Sequence, residues 1–171
     1  MALTRESFAR WVRSTKIGNK RLMSGMRRAW PLYEDPEITL MNKVKAVEEE
    51  TRPGLYGSSV IGSRIINLNP KTLRGSALMW ATSAIHEAEH GVNKASGEEE
   101  PTRREFNFLG KVYKRAINTK RRGLATEAVK GAMIAMRQRK RMVEAPKRTG
   151  DFELLKRSGF SDRAAQIIVG A

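Results

Sequence analysis

The 171-residue chain has no cysteine, and histidine occurs only twice. Without cysteine the fold cannot depend on disulfide bonds, and no thiolate is available as a metal ligand. Any zinc site would therefore have to be built from histidine and carboxylate side chains. Long apolar runs are also missing, since no stretch approaches the roughly 18–20 residues that a membrane-spanning helix requires. A secretory signal is not expected either, because residues 1–30 are basic and lack an apolar block and a small-residue cleavage site.

Positive charge is what the chain has in excess. It contains 33 Lys and Arg residues against 18 Asp and Glu residues, for a formal net charge of +15. Such an excess indicates an acidic partner, such as nucleic acid, an anionic lipid surface or an acidic protein. The densest basic cluster consists of Arg137, Arg139, Lys140 and Arg141. It is interpreted either as a solvated helix face or as a surface for nucleic acid or another acidic partner.

The spacing of apolar residues predicts an α+β fold that is mostly helical, with a basic helical C-terminal region. A strand or short hairpin is expected between Tyr56 and Leu68, directly before the helix that contains both histidines. The predicted helices cover residues 4–30 with a break near Gly18, 37–50, 72–94, 102–118, 124–143, and two short segments within 151–170. We divide the chain into a basic N-terminal helical region (1–55), a core with the histidines (56–118), a basic helix (119–148) and a small helical tail (149–171).

The two histidines lie four residues apart, in the sequence His86-Glu87-Ala88-Glu89-His90. Residues i and i+4 project from the same face of a helix, so both imidazoles can bind one zinc ion. Glu87 follows the first histidine, where its carboxylate can accept a proton from a zinc-bound water and pass it to a leaving group. Both histidines lie opposite the apolar face of the predicted helix. A solvent-exposed histidine pair without function is the alternative.

A catalytic zinc site usually has three protein ligands and a water molecule, so a third ligand is needed. It must be a carboxylate, and Glu105 is the candidate because it begins the inward-facing stripe of the predicted helix 102–118, where a buried carboxylate needs a partner. The alternative is a capping box, with Thr102 at the N-cap and Glu105 three residues later. Glu98, Glu99 and Glu100 are possible substitutes, although the loop predicted there would leave them solvated.

These features resemble the zincins, the superfamily of His-Glu-x-x-His zinc metallopeptidases, and among them the gluzincin type. The resemblance covers about residues 60–117: the strand Ile65-Ile66-Asn67-Leu68, the motif helix, and the helix with Glu105-Phe106-Asn107-Phe108. It implies a compact zincin-like core in which His86, His90 and Glu105 bind zinc and Glu87 is the general base. A peptide or protein substrate is also implied, and the ligand helix is similar to that of compact bacterial and phage members.

The sequence therefore predicts a zinc-dependent hydrolase with Zn²⁺ as its cofactor and, by resemblance, a metallopeptidase. A basic structural or nucleic-acid-associated protein without catalytic activity, such as a phage virion component, is the alternative that the charge allows. A metal site that only stabilises the fold is a third interpretation. A cytoplasmic or virion-associated location is expected from the missing signal and membrane-spanning segments.

Overall fold

A computed structural model describes residues 2–171, which form an α+β fold that is mostly helical, as the sequence predicts. The chain divides into two compact units, one reaching Ser96 and the other covering Gly97–Ala171. This boundary lies inside the segment 56–118 that the sequence treats as one core. In the described part of the chain, no helix is both long enough and apolar enough to cross a membrane.

The first unit contains four α-helices, a short 3₁₀ turn at Trp30–Leu32 and all four strands of the described residues. Its helices are α1 (Ala2–Ser14), α2 (Lys20–Ala29), α3 (Asp35–Met41) and α4 (Ala77–Gly91), and its strands are β1 (Lys16–Ile17), β2 (Ala46–Glu49), β3 (Gly57–Ser59) and β4 (Ile65–Leu68). The predicted break near Gly18 is confirmed, because α1 and α2 are separate helices with β1 between them. Asn19 begins α2, and its side chain accepts a hydrogen bond from the Leu22 backbone at 3.0 Å.

The strands form one mixed sheet in the order β1-β2-β4-β3. β1 and β4 both pair with β2 in parallel, whereas β3 pairs with β4 in the antiparallel direction. β3 and β4 are therefore the hairpin that the sequence predicts before the motif helix. β3 is an outer strand of the sheet, and α4 follows β4 after a loop of eight residues, 69–76.

The helix predicted over residues 37–50 is wrong in its second half. α3 ends at Met41, and residues Ala46–Glu49 form β2, the strand between β1 and β4. Val44 and Val47 lie on a helical period with Ile38 and Met41, which is why the sequence favours a helix. β2 pairs along both of its edges, and Val47 is fully buried in the core, so long-range pairing and packing override the local preference.

Three tryptophans, Trp11, Trp30 and Trp80, are buried in the core of the first unit. The ring centroids of Trp11 and Trp30 lie 4.8 Å apart, and Trp11 Nε1 donates a hydrogen bond of 2.8 Å to the Met41 carbonyl. Trp80 packs against α2 at Gly25, where a Cβ atom would lie 2.4 Å from the indole ring. Residue 25 must therefore be glycine for α2 and α4 to pack at this distance.

The second unit is entirely helical in secondary structure. It consists of α5 (Glu99–Asn118), α6 (Arg122–Met142), α7 (Asp151–Ser158) and α8 (Asp162–Gly170), with a short 3₁₀ turn at Ala145–Arg148. The two short terminal helices and the N-cap at Ser161 are confirmed, since Ser161 Oγ accepts a hydrogen bond of 3.2 Å from the Ala164 backbone. α5 begins three residues earlier than predicted. Pro101 lies in its first turn, where the missing N–H of proline costs no helical hydrogen bond.

Replacing Gly25 by alanine is expected to destabilise the first unit by about 1–3 kcal/mol, because the new methyl group overlaps the indole of Trp80. Urea unfolding followed by tryptophan fluorescence measures the effect, since all three tryptophans lie in this unit. Ser24→Ala, the adjacent exposed position of the same helix, is the control and should leave the unfolding free energy unchanged or slightly higher. Equal stability of Gly25→Ala and Ser24→Ala would contradict the packing described here.

Candidate metal centre

The motif helix α4 is buried along most of its length, and within the motif only His90 is partly exposed. Ser76 caps its N-terminus, with Ser76 Oγ accepting a hydrogen bond of 3.2 Å from the Met79 backbone. His86 is 5% exposed and Glu87 is 8% exposed, so the polar side of the helix does not face open solvent. The alternative of a solvent-exposed histidine pair is therefore wrong for His86. Buried imidazole and carboxylate groups require polar or ionic partners, so these side chains need hydrogen bonds or a bound ion around them.

The two imidazole rings meet at their Nε2 atoms, which lie 3.3 Å apart. This proximity follows from the i, i+4 spacing on α4 that the sequence predicts. His90 Nδ1 lies 2.7 Å from the backbone carbonyl oxygen of Ala95. A carbonyl oxygen can only accept a hydrogen bond, so the Nδ1 atom of His90 must carry a proton and donate it. In neutral His90 the lone pair is then on Nε2, the atom that faces His86.

The separation of the two Nε2 atoms would allow one metal ion to bind both rings. Two nitrogens bound at about 2.0–2.1 Å to a tetrahedral zinc lie about 3.3–3.4 Å from each other. The observed separation of the Nε2 atoms is 3.3 Å. Metal-binding histidines also commonly donate their other ring N–H to a carbonyl or carboxylate, as His90 does to Ala95. A hydrogen bond donated by His86 Nε2 to His90 Nε2 would give the same separation. Metal binding therefore has to be measured directly.

A third potential ligand is Glu98, at the N-cap position of α5. His86, His90 and Glu98 each offer one ligand atom, and these atoms all lie within 4.8 Å of one another. The three residues could therefore hold a metal ion. Gln138 on α6 donates a hydrogen bond of 3.0 Å from Nε2 to Glu98 Oε2, which orients the carboxylate. From the sequence, Glu98 is only a possible substitute for Glu105 as the third ligand, and no feature of the sequence points to Gln138.

Glu105, the carboxylate that the sequence favours as third ligand, is not part of this group. It lies on α5 with 7% of its surface exposed. The capping box proposed as its alternative role is wrong, because α5 begins at Glu99 and Thr102 is already inside the helix. Thr102 Oγ1 instead donates a hydrogen bond to the Glu99 carbonyl at 3.2 Å. A helix that starts at Thr102, as the sequence predicts, leaves Glu98 in a loop, so the sequence does not place Glu98 near the histidines.

Glu87, the predicted general base, lies next to the outer strand β3. Ser59 Oγ on that strand donates a hydrogen bond of 3.1 Å to Glu87 Oε2. Gly57 lies close to the same side chain, and a Cβ atom at residue 57 would be 2.9 Å from Glu87 Cγ. The backbone of β3 can approach Glu87 this closely only because residue 57 has no side chain. β3 therefore contributes to the position of the Glu87 carboxylate.

A hydrogen-bond network around Glu50 connects β3 to the end of β2. Arg52 donates to Glu50 Oε1 from its backbone N and from Nε, both at 2.9 Å. Ser58 Oγ on β3 donates to Glu50 Oε2. The hydrogen bonds from the Arg52 side chain, followed by the one from Ser58, lower the pKa of Glu50 to about 2. The charged carboxylate of Glu50 is thus part of what fastens the strand that contacts Glu87.

The basic cluster that the sequence proposes as a nucleic-acid surface divides into two kinds of residue. Arg139 is 1% exposed and forms an ion pair with Asp151 in which Nη2 lies 2.9 Å from Oδ1. Lys140 Nζ donates a hydrogen bond of 2.6 Å to the Val169 carbonyl. Arg137 and Arg141 are exposed. Arg139 therefore stabilises the second unit, and only the two exposed arginines are fully accessible to a partner.

Comparison with protein-family models, with curated proteins and with solved structures finds no match for this chain. The assignment of His86, His90 and Glu98 as a group that could hold a metal ion thus depends on its geometry and on the chemistry of its donor atoms.

Replacing Glu98 by glutamine should weaken zinc binding by more than the roughly 10–100-fold that loss of an outer partner costs, because a charged ligand is removed. His90→Ala should abolish binding. Glu105→Gln is the matched control on the same helix and should leave the affinity unchanged. Competition with a chromophoric chelator measures all three affinities. Loss of binding in Glu105→Gln with retention in Glu98→Gln would instead make Glu105 the third ligand.

The lowered pKa of Glu50 predicts a specific loss of stability in acid. The contribution is fully present above the ordinary pKa of 4.5 and is lost as the pH falls towards about 2, because the folded state then has to protonate a carboxylate it stabilises as the anion. Urea unfolding between about pH 5 and pH 2, with a chelator present, should show a smaller pH dependence for Glu50→Gln than for the parent chain. Parallel curves for the two proteins would contradict this role of Glu50.

Proposed function

We propose that this protein is a zinc-dependent hydrolase in which His86, His90 and Glu98 bind the metal and Glu87 is the general base. The observation that carries the proposal is the convergence of the two Nε2 atoms at 3.3 Å with the His90 Nδ1 proton held by Ala95. Glu98 replaces Glu105 as the third ligand in this proposal because, in the described part of the chain, Glu98 is the acidic residue that groups with both histidines within 4.8 Å.

Zinc is the metal that this donor set favours. Two imidazoles and one carboxylate are a common ligand set of catalytic zinc sites, which keep the fourth position for water. The chain has no cysteine, so the softer thiolate sites are excluded. Magnesium and calcium prefer oxygen ligands, whereas two of the three ligand atoms in this group are histidine nitrogens.

The mechanism assigns one task to each residue. A bound zinc ion supplies a Lewis acid and a water molecule of lowered pKa. His90 keeps its Nε2 lone pair directed at the metal position, because Ala95 holds the proton on Nδ1. The Glu87 carboxylate takes the proton of the attacking water and returns it to the leaving nitrogen or oxygen. Ser59 keeps that carboxylate in place through its hydrogen bond to Oε2.

A peptide is the substrate class that the surroundings of Glu87 favour. Among residues 2–171, β3 pairs only with β4, so its other edge presents backbone groups that an extended peptide can pair with. Apolar side chains near β3 are exposed, with Val60 at 70% and Ile61 at 51%. Such residues can contact the side chains of a bound peptide. The hairpin that precedes the motif helix also supports the resemblance to zincins.

The experiment that tests the proposal compares Glu87→Gln with Glu89→Gln in the zinc-loaded protein. Hydrolysis of a quenched-fluorescent peptide library should fall by about 10²–10⁴-fold in Glu87→Gln, which loses the general base, while the bound zinc is retained. Glu89→Gln changes the neighbouring acid of the same helix and keeps an acceptor for its hydrogen bond from Asn93, so activity should persist.

Two results would overturn the catalytic proposal. One is a parent chain that binds one zinc per molecule and unfolds more easily without it, yet hydrolyses no peptide, which indicates a structural metal site. The other is equal hydrolysis by the parent chain and Glu87→Gln, which indicates a contaminating activity. Elemental analysis and thermal unfolding of the same samples distinguish these outcomes.

A further inference from the structure

A cavity of about 420 Å³ in the first unit gathers five basic side chains from two separate parts of the chain. Lys20, Arg21 and Arg28 come from α2, and Lys71 and Arg74 come from the loop between β4 and α4. All five are exposed, so their charged groups can reach a ligand. The volume falls in the range of about 300–1,000 Å³ that is typical of small-ligand sites.

No acidic residue lines this cavity. Among residues 2–171, the five cations also form no ion pair with an acidic side chain. Like charges that converge without counter-charges repel one another, and the repulsion is relieved when an anion binds. The remaining lining residues include Ser24, whose hydroxyl can donate a hydrogen bond, and Trp80, whose indole nitrogen can only donate.

The position of these cations is fixed by packing in the core. Lys20, Ser24 and Arg28 are spaced by four residues, so they follow one face of α2. Gly25 on the same helix contacts Trp80, which forms part of the cavity wall. Asn69 holds the start of the loop, since its Oδ1 accepts a hydrogen bond of 3.1 Å from the Lys71 backbone. The two basic segments are thus held next to each other by contacts that do not involve their charges.

We propose that this cavity binds phosphate groups, two or more at a time, through Lys20, Arg21, Arg28, Lys71 and Arg74. Arginine binds phosphate oxygens with two parallel hydrogen bonds, and lysine adds a point charge, so three arginines and two lysines suit a polyphosphate better than a single carboxylate. The phosphates belong either to a free polyphosphate compound or to the backbone of nucleic acid. Neither source depends on the metal centre or on Glu87.

The test uses sodium tripolyphosphate in calorimetry and a fluorescein-labelled 20-base-pair duplex in anisotropy titrations over a range of salt. The site variant is Arg21→Gln/Arg74→Gln, which removes one charge from each basic segment. The matched control is Arg137→Gln/Arg141→Gln, which removes two exposed arginines of α6. Circular dichroism, thermal unfolding and zinc content should be the same for the three proteins, which separates this test from that of the hydrolase.

Tripolyphosphate binding that weakens at least tenfold in the site variant and not in the control would support a free polyphosphate ligand. Duplex binding without tripolyphosphate binding, with a salt slope that falls by about 2 only in the site variant, would support nucleic acid as the source. The proposal is overturned if neither probe binds, or if the site variant and the control lose the same affinity, because the charge would then act without a defined site.

Discussion

The facing Nε2 atoms of His86 and His90 are the constraint on which the proposed site depends. Two imidazole nitrogens at 3.3 Å with no cation or proton between them would direct lone pairs at each other. The bond from His90 Nδ1 to the Ala95 carbonyl removes the option of a proton on His90 Nε2 in the neutral ring. The segment after α4 contributes two groups to this arrangement. The Ala95 carbonyl accepts a hydrogen bond from His90 Nδ1, and Glu98 offers a third ligand atom.

The sheet contributes the other half of the site. β3 is antiparallel to β4 and lies at the outer position of the sheet, so its side chains reach Glu87 from outside the motif helix. Gly57 permits the close approach, and the Glu50–Arg52–Ser58 network holds the strand. A strand of three residues contributes little stability through its own backbone pairing. The hydrogen bond from Ser58 to the charged carboxylate of Glu50, just after β2, therefore helps to hold β3 in position.

The sequence could predict the parts of this site that depend on local spacing. The helix that carries both histidines on one face and the strand or short hairpin before it follow from periodicity, and the structure has a helix and a hairpin there. It could not predict Glu98 or Gln138, because their positions depend on α5 beginning before Pro101 and on α6 packing beside it. The strand at residues 46–49 could not be predicted either, because the strands that pair with it, β1 and β4, are distant in sequence.

The basic residues show that a dense run of positive charge in the sequence need not form a dense positive patch on the surface. The densest basic run includes Arg139, yet its guanidinium donates hydrogen bonds to Asp151 and to the carbonyls of Glu99 and Lys147. The five cations around the cavity of the first unit are spread over more than fifty residues of sequence, and only the packing of α2 beside the β4–α4 loop brings them together. That a net charge of +15 implies an acidic partner stays a prediction, while the fold determines which of the 33 basic residues are exposed to one.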